Sequence, residues 1–187
     1  MLKLTNISHS YSGHRVLQNF RLTLLRGQRI ALMGPSGVGK TTLLRIALGL
    51  QHPDSGQVEN TFSKVAAVFQ EPRLLPWRTA AENVNLVLGD KKETLARARE
   101  ALVTLGLGDA LDKYPGQLSG GMQQRLALAR AMAVEGDVLI LAEPFKAMDE
   151  ALRASVMAQI AQTQAAILLV THDEGEAKAL GCEIMRI

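Results

Sequence analysis

Residues 34–42 read Gly34-Pro35-Ser36-Gly37-Val38-Gly39-Lys40-Thr41-Thr42. The run fits G-x-x-x-x-G-K-[ST], a phosphate-binding pattern with a physical basis. Its glycines let backbone N–H groups turn inward and form an anion-binding nest. A helix starting near Lys40 aims its positive end at the same point. The Lys40 ammonium is a mobile point charge for the β- and γ-phosphates, and the Thr41 hydroxyl can ligate Mg²⁺. A second stretch, Leu118-Ser119-Gly120-Gly121-Met122-Gln123-Gln124-Arg125, offers related chemistry. Ser119 can cap a helix there and leave the Gly120 and Gly121 amides to receive an anion. One chain therefore carries two phosphate-seeking helix starts, far apart in sequence.

Three further polar residues close apolar runs. Gln70 follows Val65-Ala66-Ala67-Val68-Phe69, Glu143 follows Val138-Leu139-Ile140-Leu141-Ala142, and His172 follows Ala166–Val170 and Thr171. Each taken singly fits a solvated strand terminus. In an α/β sheet, however, the carboxyl ends of strands are where ligands bind. Beside Mg-ATP, Glu143 is placed to orient and deprotonate a water. His172 is placed to contact a γ-phosphate. Tyr11, just before a turn at Ser12-Gly13-His14, fits a half-buried edge residue or, beside a nucleotide, a ring that stacks on adenine.

The elements that must position these groups follow from the apolar pattern. Arg29-Ile30-Ala31-Leu32-Met33 reads as the buried strand that feeds the glycine loop, and Thr41–Leu48 as the helix that leaves it. Leu2–Ile7 and Phe20–Leu25 alternate like strands. His52-Pro53-Asp54-Ser55-Gly56 reads as a turn, and Glu183–Ile187 as a closing strand. Between Glu71 and about Val134 the character is helical, with periodicity over Ala80–Leu88, Glu93–Leu105 and Gly120–Val134. Lys91–Arg99 reads as a solvated helix face. The expected organisation is one domain, with an α/β core from 1–70 and 135–187 and a helical subdomain, 71–134, inserted into it.

Bulk properties narrow the classes. The chain has 187 residues, 47% hydrophobic and 21% charged, an ordinary composition for one aliphatic-cored unit. The net charge of +3 is small and the basic residues are spread, which argues against nucleic acid as a partner. A single cysteine, Cys182, rules out an internal disulfide and suits a reducing compartment. There is no leader pattern of charged then apolar residues, and no apolar run long enough to cross a bilayer. The expectation is a soluble, cytosolic protein.

Taken together, these motifs resemble the ATPase subunit of ABC transporters over nearly the whole chain. The resemblance implies a P-loop NTPase (RecA-like) core with a mixed or parallel sheet, an N-terminal antiparallel β part and the inserted helical subdomain. The glycine loop is similar to the Walker A motif, and Leu118–Arg125 to the LSGGQ signature. Gln70 is similar to the Q-loop glutamine, which with Thr41 implies a Mg²⁺ ligand. Asp149 in Ala147-Met148-Asp149 is similar to the D-loop, Glu143 to the catalytic glutamate, His172 to the switch histidine and Tyr11 to the adenine-stacking aromatic. The implied cofactors are ATP and Mg²⁺. The implied assembly is a head-to-tail homodimer, or a paired ABC subunit, in which Ser119 and Gly121 of one copy close over the γ-phosphate held by Lys40 of the other. A transmembrane permease would dock on residues 70–85, with an extracytoplasmic solute-binding protein acting indirectly. The chain would sit on the cytoplasmic face of the cell membrane. The loop Phe69–Thr79 is similar to that of nitrate, alkanesulfonate and taurine importers, and related importers of thiamine precursors carry similar loops.

Two residues depart from the family pattern. The Walker B strand usually ends Asp-Glu and here ends Ala142-Glu143. Asp137 cannot substitute, lying about 16 Å away at the other end of the strand. Lys146 stands where the family usually has glycine. Two functional classes follow: an ATP-hydrolysing importer subunit, or a module that dimerises on ATP and hydrolyses it slowly. A chromosome-maintenance ATPase would carry heptad insertions, which are absent. A small-molecule kinase would not need Ser119-Gly120-Gly121. Importers of the resembled family usually continue past this point with further helices or a regulatory domain, for which this sequence leaves no room.

Overall fold

A computed structural model describes residues 1–146 and 148–187, so Ala147, the first residue of the D-loop-like stretch, lies outside the described residues. The chain opens with β1 (Leu2–Tyr11) and β2 (His14–Leu24). Ser12 and Gly13 join them with φ of 48° and 83°. Positive φ at both turn residues matches the right-handed twist of the flanking strands. Next, β3 (Arg29–Met33) runs into the glycine loop and α1 (Lys40–Ala47). The segment expected to be a turn at His52–Gly56 is half strand, because β4 (Ser55–Asn60) begins within it. Gly56, with φ of 102°, is the only residue type that fits there, since a Cβ would stand 2.6 Å from the Thr5 and Asn6 carbonyl oxygens. After β5 (Val65–Val68) come α2 (Ala80–Asn85), α3 (Leu95–Thr104) and α4 (Gly120–Ala133). The chain then alternates: β6 (Val138–Ala142), α5 (Glu150–Ala161), β7 (Ala166–Val170), α6 (Glu174–Ala179) and β8 (Glu183–Arg186).

These elements form an α/β fold with two sheets. One is antiparallel, in the order β2-β1-β4, and the other is five-stranded, in the order β5-β6-β7-β3-β8. Every pairing in the second sheet is parallel. The central strands β6 and β7 are buried along their whole length, as near-continuous apolar runs require. Alternate residues of these strands divide between two apolar layers. Leu139, Leu141, Ile167 and Leu169 face the layer that includes residues of α2–α6. Val138, Ile140, Leu168 and Val170 face the layer built with α1 and the antiparallel sheet. Each fully buried aliphatic side chain contributes about 1.5–3 kcal/mol, so the two layers hold the strand ends in place.

Two local devices matter for the site. Thr79 and Glu82 form a reciprocal capping box at the start of α2, the Thr79 amide donating to Glu82 Oε2 at 2.8 Å and the Glu82 amide to Thr79 Oγ1 at 3.3 Å. Buried Asn83 donates from Nδ2 to the carbonyls of Leu75 and Arg78 at 3.1 and 3.0 Å. This fastens the 75–79 loop and leaves Trp77 70% exposed.

Candidate functional site

The carboxyl ends of β3, β6 and β7 open into a cleft of about 580 Å³. It gathers Tyr11, Ser36, Gly37, Gly39, Lys40, Thr41, Thr42, Gln70, Glu143 and His172 from five separate stretches of chain. Val16, Ala142, Lys146 and Val170 complete the wall. Val16 and Val170 carried no sequence signal for this position; they are apolar strand residues brought there by topology alone. Gly34, Pro35 and Val38 belong to the loop without lining the cleft, and Ser119, Gly120, Gly121 and Asp149 lie outside it.

The loop's conformation explains its residue types. Gly39, the N-cap of α1, has φ of 99°, and a Cβ there would stand 2.6 Å from the Val16 carbonyl oxygen. No side chain caps this helix end. At Gly34 a Cβ would meet the Ile187 carbonyl oxygen at 2.5 Å. Lys40 Nζ donates to the carbonyls of Gly34 and Pro35 at 2.6 and 2.8 Å, which holds the ammonium over the loop.

Opposite the loop, Glu143 and His172 form a pair. Glu143 has φ of 48° immediately after β6, and its amide donates to the Val170 carbonyl at 2.9 Å. Such a conformation in a non-glycine residue costs about 1–3 kcal/mol and is retained where the surroundings impose it. Its carboxylate lies 3.0–3.1 Å from His172 Nδ1. The hydrogen bond to Glu143 and its charge raise the His172 pKa above the ordinary value of 6.5. Gln70 is exposed and sits two residues past the end of β5, which stops at Val68 rather than running to Gln70. At the Tyr11 edge of the cleft, Tyr11 is 43% exposed, donates from its hydroxyl to Gln51 Oε1 at 2.9 Å and stands edge-on to His9 at 4.8 Å. The nearby Thr42 hydroxyl is the main cause that lowers the Tyr11 phenol pKa.

The second helix start is built differently. Ser119 is exposed and accepts from the Met122 amide at 3.3 Å, not from those of Gly120 or Gly121. The body of α4 is tied to the loop that follows β5. Gln124 Nε2 donates to the Phe69 carbonyl at 3.3 Å, and Arg130 Nη2 to those of Pro72 and Arg73 at 3.1 and 3.0 Å. Burial pushes the Arg130 pKa down. Asp149 is exposed and caps α5, accepting from the Leu152 amide at 2.9 Å. Neither α5 nor α6 was foreseen, although Leu152, Val156 and Ile160 repeat at helical spacing.

Among the described residues, no group of three or more His, Cys, Asp or Glu side chains is placed to hold a metal ion. The cleft offers oxygen from the Thr41 hydroxyl and the Gln70 amide, both neutral. Its one carboxylate, Glu143, is engaged by His172, and Ala142 presents a methyl at the strand end. Mg²⁺ is usually bound through one or two carboxylates together with substrate phosphates. The donor set therefore does not fit a tightly held Mg²⁺.

The comparisons agree with this geometry. The chain is 42% identical to an aliphatic sulfonates import ATP-binding protein, SsuB 1, of Rhodococcus jostii strain RHA1, covering 98% of this chain and 78% of that protein. It is 41% identical to an Fe(3+) ions import ATP-binding protein, FbpC 2, of Pectobacterium atrosepticum, covering 95% of this chain and 57% of that one. A dimeric structure of the ATP-binding cassette MJ0796 in a post-hydrolysis state, bound to ADP and Pi, superposes with a TM-score of 0.90 at 30% identity, covering 100% of this chain and 94% of that one. The family model described as ABC transporter matches residues 17–146. The chain accordingly belongs to the ABC transporter family, as one of its ATP-binding, ATPase subunits.

Proposed function

We propose that the chain is the ATP-hydrolysing subunit of an importer for a small solute. The observation that carries this is the cleft in which the Lys40 loop faces the Glu143–His172 pair. The loop amides and Lys40 hold the phosphates, Tyr11 packs against the base, and Glu143 orients and deprotonates the attacking water. His172 contacts the γ-phosphate, and Gln70 and Thr41 would offer neutral oxygens to a Mg²⁺ brought in and held mainly by the phosphates. Ser119, Gly120, Gly121 and Asp149 act across a homodimer, or against a paired ABC subunit. That reading is supported by their position outside the cleft, with Ser119, Gly120 and Asp149 exposed, and by the dimeric MJ0796 cassette.

The chain functions as one ABC ATPase domain, with residues 1–70 and 135–187 as the α/β core and 71–134 as the helical subdomain. The 70–85 segment, with exposed Trp77, takes a transmembrane permease, and an extracytoplasmic solute-binding protein delivers cargo. Among the described residues no helix is long and apolar enough to cross a membrane. The assembly places this subunit on the cytoplasmic face of the cell membrane. A sulfonate-, nitrate- or taurine-like anion is the cargo class favoured by the sulfonate importers among the relatives.

A second reading rests on Ala142. With a methyl at the end of β6, ATP closes the dimer while hydrolysis is slowed. The test is Ala142→Asp, assayed for phosphate release and for ATP-dependent dimer by sedimentation. Faster Mg²⁺-dependent turnover supports the slowed-hydrolysis reading, and unchanged turnover rejects it. Absence of both ATP-dependent dimer and phosphate release in the unaltered chain rejects both readings.

A further inference from the structure

We propose that the cleft retains a nucleoside triphosphate without a divalent cation, Lys146 supplying positive charge that a held metal would otherwise bring. The inference rests on the nucleotide reading above and specifies the ionic form of the ligand.

The argument is a charge inventory of one cavity. Two lysines, Lys40 and Lys146, line it, from the glycine loop and from the segment after β6. The single carboxylate in the wall, Glu143, stands 3.0 Å from an imidazole nitrogen of His172 and is engaged by that ring. Ala142, the last residue of β6, is 5% exposed and presents no oxygen to the cleft. Among the described residues no acidic or histidine cluster elsewhere replaces it. A divalent ion entering with the phosphates finds neutral oxygens, one carboxylate already engaged by His172, and two lysines in the same wall. It is held by the ligand alone and repelled by the wall.

The same charges favour the metal-free ligand. A free triphosphate carries two more negative charges than its Mg²⁺ complex, so each ammonium attracts it more strongly. The two lysines are also not equivalent. Lys40 Nζ is bonded to the Gly34 and Pro35 carbonyls, whereas Lys146 is an exposed side chain that lines the same cleft from the segment after β6. Triphosphate in this cleft shares it with two lysines from separate segments. Because Lys146 is exposed, its contribution is screened by salt and appears most clearly at low ionic strength.

The experiment is calorimetric titration of the full chain with ATP at low salt, in excess EDTA and in excess Mg²⁺. For the unaltered chain, binding in EDTA is as tight as in Mg²⁺ to within about threefold, or tighter. Lys146→Gln keeps the side chain polar and weakens binding in EDTA about tenfold, with a smaller loss in Mg²⁺. Ala142→Asp makes binding tighter in Mg²⁺ than in EDTA. A loss of more than about threefold when EDTA replaces Mg²⁺ in the unaltered chain overturns the inference. So does a Lys146→Gln variant that binds as tightly as the unaltered chain in EDTA. Failure to bind ATP in either medium overturns the nucleotide reading itself, and is thus distinguishable from both.

Discussion

The two helix starts, at α1 and α4, share an electrostatic principle and differ in almost everything else. At α1 no side chain caps the helix, the N-cap is a left-handed glycine, and the end opens into a cleft walled by five other stretches of chain. At α4 a serine hydroxyl caps the helix, and the end lies exposed outside that cleft. The first is a pocket in its own right. The second is an exposed surface with no walls of its own. A positive helix end is thus an ingredient, and the walls around it decide whether one chain suffices.

Four perturbations test this contrast, from the largest expected effect to the smallest. Lys40→Ala removes the cation bonded over the loop and should weaken ATP binding by about 2–5 kcal/mol, measured by calorimetry. An unchanged affinity would show that α1 is no more a pocket than α4. Gly39→Ala places a Cβ 2.6 Å from the Val16 carbonyl at φ of 99° and should lower unfolding stability by about 1–3 kcal/mol in denaturant titration. Ser119→Ala removes a cap worth about 1 kcal/mol. It should reduce ATP-dependent dimer in sedimentation while leaving the affinity of the single chain unchanged. A loss of single-chain affinity would place Ser119 in the same pocket as Lys40 and erase the distinction.

The fourth concerns protons. The His172 pKa is raised by Glu143, so folding is favoured by the imidazolium. That contribution is fully present below the unfolded value near 6.5 and fades as pH rises through the higher folded value. Glu143→Gln should return the His172 titration, followed by NMR, toward 6.5. The shift is small in energy because the imidazole is 74% exposed.

The sequence was most readable where one requirement dominated. β3, β6 and β7 announced themselves because strands buried on both faces must be apolar throughout. The glycine loop was readable because only glycine tolerates φ of 99° with a carbonyl at 2.6 Å. β4 was missed for the opposite reason. It pairs with β1 alone and is exposed along nearly all of Ser55–Asn60, so nothing forces its side chains to be apolar. The wall residues Val16 and Val170 were invisible, since their place in the cleft depends on which strands become neighbours. Ala142 and Lys146 could be flagged only as departures from a pattern, and the fold supplied the consequence by putting both in one cavity.

The ties from Gln124 and Arg130 to the backbone at Phe69, Pro72 and Arg73 have a mechanical consequence. They fall on two turns of α4 and grip three residues next to Gln70, so the segment and the rod cannot slide independently without leaving a desolvated guanidinium unsatisfied. Whatever tugs on Gln70 is therefore geared to Ser119 at the far tip of the same rod.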